Sequence, residues 1–381
     1  MISIRKKESC CACGACVNIC PESSIIMVED NEGFLYPRVN KETCVNCSLC
    51  EQVCPILNKQ LSHQPKQVLA AKNKDKEIQY QSTSGGVFTL IAQQVIKEGG
   101  IVFGAIFDDK WEVRHDYVEK EQDLNLLRGS KYIQSRTEDS FSKVESYLKQ
   151  GRLVLYSGTP CQISGLRQYL RKEYDNLLAI DIVCHGVPSP KVWRKYLLEV
   201  KKNDIVRSIS FRDKVSGWDQ SSVVIDMKQT KLSEVMYANK YVRGFLKNLY
   251  LRPSCYECKF KSFNSGSDIT LADYWGIDAE HKYFFDRNGV SLVMINTDKG
   301  KQYLDFTKIN YIETDLSHAV NHNSAIVSSV KPHKKRAYFF DHINDNNIQR
   351  LINRSLLDPL HYLKTKLKTL IKSILHILGL R

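Results

Sequence analysis

Residues 10–21 read "CCACGACVNICP", and residues 44–55 read "CVNCSLCEQVCP". Cysteine falls at the same offsets in both stretches, Cys10, Cys13, Cys16, Cys20 and then Cys44, Cys47, Cys50, Cys54, with Pro21 and Pro55 closing each run. A chain of 381 residues, 43% hydrophobic and 25% charged, has the make-up of a folded protein of two or three units. Its N-terminus, "MISIRKKESC", has basic residues with no apolar stretch behind them, which predicts no secretory signal. No window reaches the roughly 20 apolar residues that a bilayer-spanning helix needs. Thirteen cysteines in such a chain are expected in a reducing compartment, as metal ligands or redox groups rather than disulfides.

The spacing C-x2-C-x2-C-x3-C-P is that of bacterial ferredoxins, in which three cysteines of one loop hold one iron–sulfur cube and the fourth reaches across to the other. It assigns Cys10, Cys13, Cys16 and Cys54 to one 4Fe-4S cluster and Cys44, Cys47, Cys50 and Cys20 to a second. Gly14 and Ala15 suit a loop that must bring backbone N–H groups close to sulfide. A pair of zinc ribbons is the competing reading, but zinc asks for four thiolates in two separated C-x2-C knuckles. Two complete copies with matching prolines argue against it. Cys11 is left over, and is expected to pack in the loop rather than bind iron.

After the polar connector "ILNKQLSHQPKQ", strand-like and helix-like stretches alternate. "VLAAKN", "IVFGAIFD", "RLVLYSG" and "LLAIDIVCHG" read as strands. Residues 84–98, "DSFSKVESYLKQG", "TPCQISGLRQYLRK" and "SPKVWRKYLLEVKK" read as helices. That order predicts an α/β domain with a largely parallel sheet. "SISFRDK", "SVVIDMKQ" and "DITLADYWGI" predict a mixed or antiparallel extension. Ligands bind such sheets beyond the C-terminal strand ends, beside helix N-termini. "STSGG" (82–86), "RGSKY" (128–132, before a helix) and "SGTPCQ" (157–162, with Cys161 in a first helical turn) are expected there. None fits G-x-G-x-x-G, so a standard dinucleotide fold is not indicated.

Four cysteines remain: Cys161 and Cys184, at strand ends that a parallel sheet sets side by side, and the knuckle Cys255, Cys258. Gathered together they make a third 4Fe-4S site. Against this, Cys161 and Cys184 are small buried apolar groups and the knuckle is half of an incomplete site. A third reading makes Cys161 a nucleophile activated by a helix N-terminus, with His185 as its base. His185 is also the first choice of proton donor beside the pocket.

Taken in order, "YQSTSGGVF", "LRGSKYIQS", "LYSGTPCQISGL", "IDIVCHGVPSP", "ISFRDKVSGW", "LRPSCYECKFK" and "SDITLADYWGI" behind paired ferredoxin motifs resemble the coenzyme F420 hydrogenase/dehydrogenase beta subunit family over about residues 5–330. The resemblance implies FAD in the α/β core, iron–sulfur clusters feeding it, and hydride exchange with a small redox partner. It implies FAD contacts at Ser84, Gly85, Gly86, Ser130, Lys131 and Tyr132, and a cluster on Cys161, Cys184, Cys255 and Cys258 nearest the flavin. The expected organisation is of mixed α+β and α/β class. It comprises a ferredoxin-type module (1–60), a flavin-binding domain with a mixed sheet in two halves (66–150 and 151–330), and a basic, amphipathic helical tail (331–381). The expected activity is that of an FAD- and 4Fe-4S-dependent oxidoreductase using coenzyme F420 or another acceptor. The alternative is a non-catalytic electron-transfer subunit feeding a partner enzyme, for instance in a polysaccharide-building or membrane-associated assembly. Iron–sulfur clusters move single electrons, so hydride chemistry needs the two-electron flavin.

The net charge of +13 is uneven: from Lys331 onward eleven Lys or Arg face three Asp or Glu. From Leu356, leucines and isoleucines such as Leu360, Leu363, Leu367 and Leu370 recur at helical spacing, with Lys364, Lys366, Lys368 and Lys372 mainly off that face. Two readings stand for this helix: one lies on an anionic membrane surface, the other docks on protein. Expected partners are an external electron-carrier protein and a small redox molecule. Nucleic acid is not expected, since no binding motif accompanies the basic pI. The expected location is the cytoplasm, with possible peripheral contact to the inner membrane face.

Overall fold

A computed structural model describes residues 1–59, 62–344 and 347–357. Among the described residues, thirteen strands form three sheets. β1 (Ile25–Glu29) and β2 (Leu35–Val39) make a hairpin. β8 (Val206–Asp213), β9 (Ser222–Met227) and β10 (Lys231–Val235) make a small antiparallel sheet. The other eight are β3 (Gln67–Asn73), β4 (Ile101–Phe107), β5 (Val113–Val118), β6 (Val154–Gly158), β7 (Leu177–Ile182), β11 (Ile269–Asp273), β12 (Ser291–Ile295) and β13 (Ile309–Glu313). Their order is β13-β3-β12-β11-β7-β6-β4-β5.

The centre, β4-β6-β7-β11, is parallel, and antiparallel strands flank it on both sides. Alternate residues of the central strands serve opposite cores, as the period of two requires. Val102, Leu155, Leu178 and Ile180 face the helix Val87–Lys97. Phe103, Val154, Tyr156, Leu177 and Ala179 face the helices Ser140–Lys149 and Pro160–Leu170. Cys11, Cys13, Ala15 and Val53 of the N-terminal module belong to that second core, so module and body share one buried interior.

Three expectations need correcting. "DITLADYWGI" is no extension: Ile269–Asp273 pairs in parallel with β7 inside the main sheet. The helix expected from Ser84 begins at Val87, because Gly85 is pinned to the sheet by Ser291 Oγ, which accepts from its N–H at 2.9 Å. No helix follows "RGSKY" directly. A short helix, Leu124–Leu127, ends before it, and the loop beyond is held by Arg136 N–H donating to Val113 O at 2.9 Å.

Within the C-terminal segment, the helices Arg336–Asp341 and Ile348–Leu356 pack Phe339, Ile348, Leu351 and Ile352 against Trp193 and Tyr250. The described part of 331–381 is therefore built into the body, and the amphipathic helix expected beyond Leu356 lies outside the described residues. Among the described residues, no helix is long and apolar enough to cross a membrane.

Candidate functional site: three cysteine-lined cavities

The two cysteine loops fold alike. Ala12 and Gly14 in the first (φ 56° and 83°) and Asn46 and Ser48 in the second (φ 54° and 60°) take left-handed backbone, before the short helices Ala15–Asn18 and Leu49–Gln52. Left-handed backbone at three non-glycine residues is uncommon and marks loops shaped around something. The first cavity is lined by Cys10, Cys13, Cys16 and Cys54, with Cys11 beside them. The second is lined by Cys20, Cys44, Cys47 and Cys50. In each, the cysteine before the proline has crossed to the other loop's cavity. Ile2, Ile25 and Cys50 are buried between them with Cys16, Cys20 and Cys54.

The third cavity lies beyond the C-terminal ends of β6 and β7, with Thr270 of β11 in its wall. Cys161, Cys184, Cys255 and Cys258 all line it. Cys161 stands in the first turn of Pro160–Leu170, a helix that Thr159 and Gln162 begin with a reciprocal capping box. Cys184 follows β7. The knuckle reaches it because the segment after Cys184 pairs with the segment before Cys255. Arg252 N–H donates to Val187 O at 2.9 Å, and Ser189 N–H donates to Tyr250 O at 3.0 Å.

Each set suits the group that its residues imply. Among the described residues, no three Cys, His, Asp or Glu side chains converge on one ion's position. Each set instead lines a void, as a cube with one thiolate per iron requires. Donors already aim at the sulfurs: Ile2 N–H to Cys50 Sγ (3.3 Å), Ser24 N–H to Cys20 Sγ (3.3 Å) and Val187 N–H to Cys255 Sγ (3.4 Å). Burial pushes the Cys16 and Cys184 thiols up to about 12. Such thiols ionise only when a cation takes the charge, so metal loading releases protons here. Arg252, Lys259 and Lys261 also line the third cavity, a cationic wall that suits an anionic cluster better than a pocket of inert thiols.

Arg252 is wholly buried and clasps the module to the body. Its Nε donates to Cys10 O at 2.8 Å, its Nη2 to Leu35 O at 3.0 Å and its Nη1 to Gln134 Oε1 at 3.2 Å, and its guanidinium lies 4.3 Å from the Tyr36 ring centroid. Sequence reasoning missed it; the only signal was an arginine three residues before a knuckle. Gly14 proves to have a second use, since a Cβ there would stand 2.2 Å from Thr137 Oγ1 of the body.

His185 lines the third cavity, but its Nε2 lies 2.7 Å from Asn248 Oδ1 and burial lowers its pKa from 6.5. It is therefore a neutral ring donating to Asn248, which makes it a weak proton source. Cys161 lies 3.2 Å from Thr159 Oγ1, and the hydrogen bond from Cys11 together with burial pushes its thiol well up, the opposite of an activated nucleophile.

The stretches that hold Ser84, Gly85, Gly86 and Ser130, Lys131, Tyr132 are joined where Ser130 meets Thr83. Most of their donors are engaged. Ser84 Oγ donates to Val290 O at 2.7 Å, Ser130 N–H to Thr83 Oγ1 at 3.0 Å, and Lys131 Nζ to Arg128 O at 3.0 Å. The free donors belong to a residue that the sequence reading passed over. Arg212, with 3% of its side chain exposed, meets Asp273 Oδ2 at 3.0 Å through Nη1 and stacks 4.9 Å over Trp275, itself stacked on Trp218. Its Nε and Nη2 have no hydrogen-bond partner among the described residues. Lys214 lies beside it with all three N–H groups engaged, donating to Gln79 O at 2.8 Å, to Ser84 O at 2.9 Å and to Asn288 O, and burial lowers its pKa to about 8. Two buried guanidinium nitrogens with no acceptor are an unusual cost in a folded interior, of a kind that a bound anion would offset. The stretches "SFRDK" and "DYWG" carried these residues in plain view, without the spacing of any common motif.

Residues 151–318 match the family model for the C terminus of the coenzyme F420 hydrogenase/dehydrogenase beta subunit, and residues 9–57 match that of a 4Fe-4S dicluster domain. Among solved structures, a chain of the xenon-derivatised F420-reducing [NiFe] hydrogenase complex from Methanosarcina barkeri is 15% identical. The match covers 77% of this chain and 90% of that one, with a TM-score of 0.44. No curated protein matches this chain.

Proposed function

Because the chain carries the C-terminal domain of a coenzyme F420 hydrogenase/dehydrogenase beta subunit behind a 4Fe-4S dicluster domain, we propose that it is an iron–sulfur flavoprotein oxidoreductase exchanging hydride with a small redox acceptor. One observation carries this reading: four cysteines drawn from 98 residues of chain, Cys161 to Cys258, line a single cavity that adjoins the first ferredoxin cavity. Cys10, Cys13, Cys16 and Cys54, then Cys20, Cys44, Cys47 and Cys50, hold the two clusters of the module. Cys161, Cys184, Cys255 and Cys258 hold a third. Bound there, the clusters supply one-electron transfer, and FAD supplies the two-electron step that hydride chemistry needs.

The chain's own residues do the rest. Arg252 fixes the distance between module and body, and with Lys259 and Lys261 it offsets negative charge in the third cavity. Arg212 offers the cationic donors for the flavin's anionic part and Lys214 adds its charge beside it, with Ser84, Gly85, Gly86, Ser130, Lys131 and Tyr132 shaping the surroundings. His185 stays neutral on Asn248 and orients rather than donates. An external electron-carrier protein delivers or receives electrons at the module, where Cys47 is exposed.

A second reading, a flavin-free electron-transfer subunit, has one observation in its favour: the Ser84, Gly85 and Ser130 donors are satisfied within the protein. Anaerobic purification with counting of iron, sulfide and flavin separates the readings. About twelve irons and one FAD per chain support the proposal. About eight irons remove the third cluster, and about twelve without flavin select the electron-transfer subunit.

A further inference from the structure

The C-terminal segment reaches the N-terminal module through Arg336, the first residue of the helix Arg336–Asp341. Its guanidinium forks onto Glu32, in the turn between β1 and β2: Nη1 donates to Oε1 at 2.9 Å and Nη2 to Oε2 at 2.5 Å. The partners are 304 residues apart, and their side chains are only 15% and 16% exposed. The same guanidinium donates to Leu251 O at 3.0 Å through Nη2 and to Tyr256 Oη at 3.2 Å through Nε. It lies 4.6 Å from the centroid of the Phe340 ring. Leu251 and Tyr256 bracket the stretch that carries Arg252 and Cys255. One side chain therefore ties together the module's hairpin, a segment of the third cavity, and the C-terminal segment.

The turn is shaped to be held there. Asp30 Oδ1 accepts from Glu32 N–H at 3.0 Å and from Phe34 N–H at 2.9 Å, and Phe34 is wholly buried. Lys191 Nζ donates to Asn31 O at 3.0 Å. Gly33 takes left-handed backbone (φ 90°), and a Cβ there would stand 2.3 Å from Lys191 Cβ. The turn falls between Cys20 and Cys44, so its place in the body fixes the place of both cysteine loops.

A largely buried ion pair adds little stability over apolar residues of the same volume, because both charges must be desolvated. A fork of two parallel N–H···O bonds does supply a fixed distance and orientation. Arg252 grips β2 and the first cysteine loop, and Arg336 grips the turn before β2 while holding the carbonyl of the residue next to Arg252. The first and third cavities meet at this seam, with Cys11 and Ile56 in the walls of both. Electron tunnelling falls off exponentially with separation, so a seam of fixed width bears directly on transfer across it.

We propose that Arg336 is a positioning residue for electron transfer between module and body: forked onto Glu32 and anchored on Leu251 O, it sets the separation of the first and third clusters. This rests on the third-cluster reading above.

The full chain, purified without oxygen, is compared with Arg336→Met, Arg336→Lys and Glu32→Ala by iron counting and by two further readouts. One is the magnetic interaction between the first and third clusters in the fully reduced protein, identified by its absence in Cys258→Ser. The other is the rate at which a reduced ferredoxin reduces the third cluster in rapid mixing. Arg336→Met and Glu32→Ala are expected to keep full iron, lose the parental interaction and slow that reduction. Arg336→Lys keeps the charge without the fork and is expected to share the loss; a fully parental interaction there overturns the proposal. A lower melting temperature with interaction and rate unchanged makes the pair structural only, which also overturns it. If Arg336→Met does not fold, Glu32→Ala, which removes the fork from the module side, decides by the same criteria. No first-to-third interaction in a parent chain with about twelve irons overturns it as well. About eight irons in the parent instead defeat the third-cluster reading itself, and so are distinguishable from failure of Arg336 alone.

Discussion

Cys10, Cys13 and Cys16 lie within seven consecutive residues, whereas Cys161, Cys184 and the pair Cys255, Cys258 come from three segments of the body. The first arrangement is local: left-handed turns at Ala12 and Gly14 curl one loop around its cavity, and Cys54 alone arrives from afar. The second is tertiary throughout. It needs β6 and β7 in parallel register, a helix capped at Thr159, and the pairing of residues 187–189 with 250–252. A local site is robust to events elsewhere in the fold, while an assembled one reports on the whole body.

That difference can be broken most directly at iron. Cys258→Ser is expected to remove about four of about twelve irons and leave the paramagnetic signals of the N-terminal pair intact. Loss of all iron on this substitution would mean that the two regions are not separable. Next comes the clasp. Arg252→Met removes a buried cation with three hydrogen bonds and strands Cys10 O and Leu35 O, at about 4 kcal/mol in denaturant unfolding. A change under about 1 kcal/mol would mean that module and body dock without it.

The body also carries a buried titrating group on its own strand β5. Burial lowers His115 to about 4, stacked on Tyr156 at 5.3 Å between the rings, with Nε2 3.0 Å from Ser157 O. Between pH 6.5 and 4 the unfolded chain takes up a proton that the fold refuses. Stability therefore falls as pH drops through that window, by about 3 kcal/mol in full. His115→Gln should flatten that part of the stability profile measured against the parent chain, and an unchanged slope refutes the assignment. The smallest effect is expected at the seam: Gly165→Ala forces a methyl against Cys13 and should cost about 2 kcal/mol in thermal unfolding, with little effect if the first loop is free to shift.

The cysteine loops were legible because their chemistry is written at fixed short spacing. The central strands were legible for a related reason: each is a short apolar run bounded by glycine or polar residues. The antiparallel flanks β12 and β13 escaped the reading, since Ser291–Ile295 and Ile309–Glu313 are five residues each and look like many other apolar pentapeptides. Arg212 and Arg252 escaped for a deeper reason. A buried arginine is identified by what surrounds it, and Asp273, Trp275, Cys10 O and Leu35 O are all distant in sequence.

By itself the sequence determined the paired thiol loops, three of the four parallel central strands, and which four further cysteines lay outside those loops, because periodicity and short spacing act through neighbouring bonds. Only the tertiary structure decided that those four share a cavity, that one arginine bolts the module to the body, and that Cys11 lies between two thiol sets. Contacts across hundreds of residues are chosen by packing and by the need to satisfy every buried donor, and no local pattern encodes that choice.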